Sequence, residues 1–222
     1  MRRLGPALLA AVALLAVDAF AAEKLKLLIV DGQNNHNWRA TTPVLKAFLA
    51  RTGRFAVEVA TSPDRKGTAA AWDKFRPAFE RFDVVLSNYN GQAWPKPVQA
   101  GLEKYIGGGG AMVIVHAANN AFPKWIEFNK MIGLGWRGNG YGNRITIDAN
   151  GKTVLTPKGQ GPGAGHGPQH PFSIVTRDRR HPVMQGIPAE WMHFRDELYH
   201  GQRGPALNMQ ILATAYSAKD KR

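Results

Sequence analysis

Four strand-like apolar runs, separated by helix-like stretches, constrain this chain more than any other feature. Leu25-Lys26-Leu27-Leu28-Ile29-Val30 is almost continuously apolar, as expected of a strand covered on both faces of a parallel sheet. It ends at Asp31-Gly32. Thr42-Pro43 then predicts a helix N-cap and first position, with Val44, Leu45, Phe48 and Leu49 at helical spacing and Gly53 as the stop. Phe55 to Ala60 alternates like a second strand, and Trp72, Phe75 and Phe79 form one helical stripe. Asp83 to Ser87 reads as the third strand, followed by a helix through Val98, Leu102, Tyr105 and Ile106 that stops at Gly107 to Gly110. Ala111 to Val115 is the fourth strand, ending at His116, and the next helix is expected from Lys124 to Ile132. The alternation predicts an α/β fold: a doubly wound, mostly parallel sheet.

Past Gly133 the texture changes. Arg144 to Asp148 and Thr153 to Leu155 flank Asn150-Gly151, a strong hairpin signal. A loop rich in Gly and Pro spans Gly159 to Pro171; Phe172 to Thr176 and Met209 to Tyr216 read as further strands. The expectation is one α/β domain, 22–222, with a β-hairpin-rich C-terminal elaboration and no repeats.

Residues 1–21 read as a secretory signal peptide. Arg2 and Arg3 precede an apolar run from Ala7 to Val17, and Ala19-Phe20-Ala21 is a small-residue cleavage site. The run is shorter than the ~20 residues a spanning helix needs. A periplasmic or secreted location follows. The absence of Cys excludes disulfides, thiolate metal sites and a cysteine nucleophile. The formal charge of +13 is scattered rather than gathered into a basic run, so nucleic acid is not expected as a partner. Loose attraction to anionic envelope surfaces is its plain consequence.

In open parallel sheets, ligands bind beyond the carboxyl ends of the strands. Here those positions hold Asn34, His36 and Trp38 after the first strand, Asn90 after the third, and His116 and Asn119 after the fourth. Amides with aromatic platforms suit a neutral, hydroxyl-rich ligand such as a sugar, although Asn and Gly also serve turn geometry alone. His116 stands at a strand-to-loop elbow where related architectures expose a Ser or Cys nucleophile. An imidazole there serves as general acid or base, as metal ligand, or as a buried hydrogen-bonded side chain. Farther on, Glu197 and His200 share a face if their segment is helical. His166 and His170 in the glycine loop are further candidate ligands. A divalent metal on some of these histidines is chemically open, but the spacing assigns no metal ligand set.

Several stretches resemble the ThuA-like (trehalose utilisation) family: Leu27 to Gly32 with His36 and Thr42-Pro43, Gly108 to His116, His181-Pro182 with Gly186-Ile187-Pro188, and Asp196-Glu197-Leu198-Tyr199. The resemblance runs from about Leu25 to Tyr216. It implies a flavodoxin-like fold of the class I glutamine amidotransferase-like superfamily, with His116 where amidotransferases keep their nucleophilic Cys, and hence no glutaminase activity. It also implies a role in carbohydrate metabolism, on disaccharides or their keto derivatives. A typical member continues past Arg222 with another strand-forming segment, so the domain reads as truncated at its C-terminus. The expected function is a hydrolase or isomerase acting on a small-molecule sugar. His116 is its acid/base group, with His36 and Glu197 as partners. Asn34, Trp38, Asn90, Asn119, Tyr199 and His200 contact the substrate. The alternative is a non-catalytic periplasmic carbohydrate-binding or accessory module.

Overall fold

A computed structural model describes residues 23–218 and 220; the expected signal peptide lies outside the described residues. Four parallel strands, β1 (Leu25–Asp31), β2 (Phe55–Thr61), β3 (Val84–Ser87) and β4 (Ala111–Ile114), lie in the order β2-β1-β3-β4. β1 and β3 are the inner pair, in register Leu27 to Val84 through Val30 to Ser87.

The pleat sends alternate residues of β1 to opposite faces, which is why its apolar run is continuous. Leu28 and Val30 enter a large core with Phe79, Leu102, Phe122 and Phe128. Leu27 and Ile29 join Leu86 in a smaller one on the other face. Three helices serve the larger core: α2 (Ala69–Lys74), α3 (Lys96–Gly107) and α4 (Ile126–Ile132). Its aromatic rings interlock, with Trp94 and Phe128 each 5.0 Å from Phe122 between centroids. On the other face, among the described residues, α1 (Trp38–Arg51) packs through Leu45 and Leu49.

The first helix departs from the sequence reading in two ways. It begins at Trp38, not Pro43, because the Asn37 side chain accepts the Ala40 backbone N–H and caps it one turn earlier. Pro43 therefore sits inside the helix, in its second turn, where Arg39 and Pro43 are both exposed. Second, only half of the expected apolar stripe is covered: Val44 is 67% and Phe48 65% exposed. The stripe of Trp72, Phe75 and Phe79 also breaks, since α2 ends at Lys74 and Phe79 lies in a separate 3-10 turn. All three rings still pack into the larger core.

Beyond α4 the expected hairpin forms as β5 (Arg144–Ile147) against β6 (Thr153–Thr156). A three-stranded antiparallel sheet follows, with β7 (His170–Thr176) between β8 (Glu190–Asp196) and β9 (Ala213–Ala215). Strand β8 was not expected. Its apolar residues Trp191, Met192 and Phe194 do not alternate, and Met192 and Phe194 lie exposed. The Glu197–His200 segment is not helical; it follows β8 as irregular chain, and His200 pairs with Gly165 in an isolated bridge. Bridges Gly135–Arg203 and Asn143–Gly204 fasten the same region to the chain after α4.

Candidate functional site

The carboxyl ends of β1 and β4 bring the first two histidines together. After β1 the chain turns at Gly32, with φ +118°, where a Cβ would lie within 2.6 Å of the Ser62 backbone nitrogen. The loop is then locked by amides. Asn34 Oδ1 accepts the His36 backbone N–H at 3.0 Å, and Asn34 Nδ2 donates to the Asn88 carbonyl at 3.2 Å. Asn88, buried at the end of β3, donates to the hydroxyls of Thr41 and Thr42 at 3.1 Å each and so ties in the start of α1. This network aims the His36 ring at the end of β4.

His116 opens a 3-10 turn with φ +45°, a left-handed conformation that side chains with a Cβ rarely adopt. The elbow expected from the sequence is therefore present in the backbone. It swings the imidazole off the strand and onto the rim, where its ring lies 4.6 Å from that of His36. Burial pushes the His116 imidazole below its usual range, and the neighbouring His36 adds to this against the opposing pull of Glu197. The neutral, proton-accepting form is favoured.

The third group arrives from the C-terminal elaboration. Glu197, directly after β8, places Oε2 3.4 Å from His116 Nε2 and 4.0 Å from His36 Nε2. Candidate ligand atoms of the three residues all lie within 4.8 Å of one another, so the trio forms a compact nitrogen/oxygen donor set. His166, from the glycine loop, approaches the same carboxylate oxygen at 3.9 Å. Tyr199 packs beside this group, 4.4 Å from the His116 ring and 5.8 Å from His166 in a stacked arrangement. Burial, seconded by the charge of Glu197, raises its phenol above the usual range and keeps it protonated.

A cleft of about 510 Å³ opens at the trio. Asn34, Asn88, Gln169 and Asp196 supply polar wall, while Ala40, Val44, Leu45 and Val115 supply apolar wall. The exposed Val44 of α1 thus has a place: it lines the cleft. That volume lies within the usual ~300–1,000 Å³ of small-ligand sites.

Over residues 26–221 the chain matches the family model ThuA, described as trehalose utilisation. This chain belongs to the ThuA family. A solved ThuA-like protein from Parabacteroides merdae ATCC 43184 is 40% identical and superposes with a TM-score of 0.83, over 89% of this chain and 70% of that one. A second, from Bacteroides uniformis ATCC 8492, shares 17% identity and the fold alone, with a TM-score of 0.51 over 85% of this chain and 66% of that one. No curated protein matches.

Against the residues expected of this ThuA-family chain, the structure draws His36, His116 and Glu197 into one cluster, sets Asn34 on the cleft wall and packs Tyr199 on His116. His200 stands behind the glycine loop, where a Cβ on Gly165 would come within 3.1 Å of its ring. Trp38, Asn90 and Asn119 are not among the residues lining the cleft. Trp38 opens α1 beneath the Arg39 guanidinium, and the Asn90 amide donates to Asn35 at 2.7 Å, which joins two rim loops. Of the two glycine-loop histidines read as candidate ligands, His166 reaches the cluster; sequence reasoning missed Trp136, whose ring lies 4.5 Å from Tyr199. No local pattern marks Trp136, because it reaches the site only through the bridge between Gly135 and Arg203.

Proposed function

We propose that this ThuA-family chain is a carbohydrate-active enzyme that moves a proton on a disaccharide or keto-sugar, without a covalent cysteine intermediate. The observation that carries the reading is the convergence of the His36 and His116 imidazoles on Glu197 Oε2 at the head of a cleft with mixed walls. A neutral imidazole facing the cleft accepts a proton from a hydroxyl, a water or a carbon beside a carbonyl. The carboxylate 3.4 Å away then stabilises the imidazolium that forms. The proton returns to the leaving oxygen in hydrolysis, or to the neighbouring carbon in isomerisation. Tyr199, held protonated, is suited to donate a hydrogen bond to a sugar oxygen, and the apolar strip of Val44 and Leu45 suits the C–H face of a ring. Export of the mature chain after Ala21 belongs to the same proposal, and N-terminal sequencing of the protein from its native host tests it.

The test of activity is turnover of disaccharides and their 3-keto derivatives by the purified protein, repeated with His116→Ala and Glu197→Gln. Loss of product in both variants is expected, with sugar binding retained. Equal turnover by His116→Ala refutes the catalytic assignment. Binding without turnover by the unaltered protein moves the reading to a carbohydrate-binding module.

A further inference from the structure

The cluster leaves a gap that proton transfer alone does not account for. His166 Nδ1 lies 2.8 Å from the Gly167 carbonyl, a contact that requires the ring proton on Nδ1. Its Nε2 lies 3.9 Å from Glu197 Oε2. His36 Nε2 also approaches that oxygen, at 4.0 Å; it is shut off from solvent and has no hydrogen-bond partner among the described residues. Three imidazole nitrogens therefore gather around one carboxylate oxygen, His116 Nε2 being the nearest at 3.4 Å.

We propose that His36, His116, His166 and Glu197 form a binding site for one first-row divalent transition-metal ion. The donors decide the class. Three imidazoles and one carboxylate match zinc and its neighbours, whereas magnesium and calcium take oxygen ligands almost exclusively. Ligands of a tetrahedral ion bonded at ~2.0–2.1 Å stand roughly 3.3 Å apart; the candidate atoms of His36, His116 and Glu197 lie within 4.8 Å of one another and His166 Nε2 is 3.9 Å from the carboxylate oxygen, so the set closes by side-chain movements. The orienting hydrogen bond is present as well, since a metal-bound histidine commonly donates its other ring N–H to a backbone carbonyl, as His166 does to Gly167. The four ligands come from the β1 loop, the end of β4, the glycine loop and the end of β8, so the ion joins the C-terminal elaboration to the parallel sheet. With the ion bound, the imidazole lone pairs are committed to it, so His116 is a metal ligand in the loaded site and a proton acceptor only in the metal-free one.

The inference shares its site with the proposed function, but its test needs no sugar. Full-length protein is stripped with a chelator, dialysed, and titrated by calorimetry with Zn²⁺ and separately with Mg²⁺; Co²⁺ absorption reports the coordination. One Zn²⁺ per chain is expected, with Mg²⁺ not detectably bound. His166→Ala and Glu197→Gln should each weaken Zn²⁺ binding by ~100-fold or more, beyond what loss of an orienting partner alone produces. His170→Ala, at the start of β7 with its ring on the Pro168 carbonyl, should bind as the unaltered protein does, and circular dichroism confirms that each variant is folded. Unchanged affinity in His166→Ala overturns the four-ligand site, equal binding of Mg²⁺ overturns the ion class, and no Zn²⁺ uptake by the unaltered protein overturns the centre altogether. Sugar turnover by a protein that takes up no metal would leave the imidazole proton-transfer reading standing by itself.

Discussion

The backbone at His116 makes a stability prediction with an unusual sign. His116→Gly and His116→Ala both delete the imidazole, so they share the lost contacts with His36, Glu197 and Tyr199 and differ only in the Cβ. At φ +45° the Cβ of Ala crowds the following carbonyl, at a cost of about 1–2 kcal/mol. Gly avoids that strain but loses more chain entropy on folding, about 0.5–1 kcal/mol. The balance leaves Gly the more stable variant by roughly 0–1.5 kcal/mol, with ~0.75 kcal/mol from the midpoints, the latter about 1.5–3 °C in melting temperature for a domain of this size. An ordinary exposed helix position supplies the control. Ala100 in α3 is exposed, and Ala100→Gly there should be destabilising by about 1 kcal/mol. Urea unfolding of all variants with matched slopes measures both differences. If His116→Ala is as stable as His116→Gly, or more so, the left-handed elbow is not a feature of the folded chain, and the argument for how His116 reaches the rim fails with it.

Other residues give independent checks. Arg203, with 0% exposure, donates to the carbonyls of Gly142, Pro157, Gln160 and Pro162; Arg203→Met should cost about 3–5 kcal/mol in urea unfolding, and a loss below 1 kcal/mol would show that the glycine loop does not depend on it. Asn88→Ala removes the donors to Thr41 and Thr42; the expected loss is about 1–3 kcal/mol, with faster amide exchange at the start of α1, and unchanged exchange there would contradict the proposed tie. Asn37→Ala should lower stability by about 1 kcal/mol and speed amide exchange at Ala40, because Asn37 caps a helix that begins at Trp38; unchanged stability and exchange would restore the later start read from Thr42-Pro43.

Local chemistry wrote the parallel sheet openly. Leu25 to Val30 reads as an inner strand because a continuous apolar run suits burial on both faces; Ala111 to Val115, read as buried on the same ground, instead forms β4 at the edge of the described sheet, with Val113 46% exposed. The rim followed from the same reading, since residues after such strands stand at the carboxyl edge, and His36 and His116 could be paired on that ground alone. Glu197 was nameable because Asp196-Glu197-Leu198-Tyr199 resembles a family motif, but the reason for its position was not legible. The expected helical face with His200 does not exist; a strand without clean alternation carries Glu197 to the sheet.

The chain alone therefore determined the α/β class, the strand ends that face the cleft and the exclusion of thiol chemistry, all set by residue type and short-range periodicity. Tertiary structure decided which distant groups meet. His166 and Glu197 are brought to the β1–β4 rim by isolated bridges and by the buried Arg203, contacts between residues tens of positions apart that obey no local period. It also decided that the Asn34 and Asn90 amides hold loops, and that Val44 lines a cleft instead of a core. A side chain's partners depend on which surfaces the fold leaves beside it, and only the packed chain settles that.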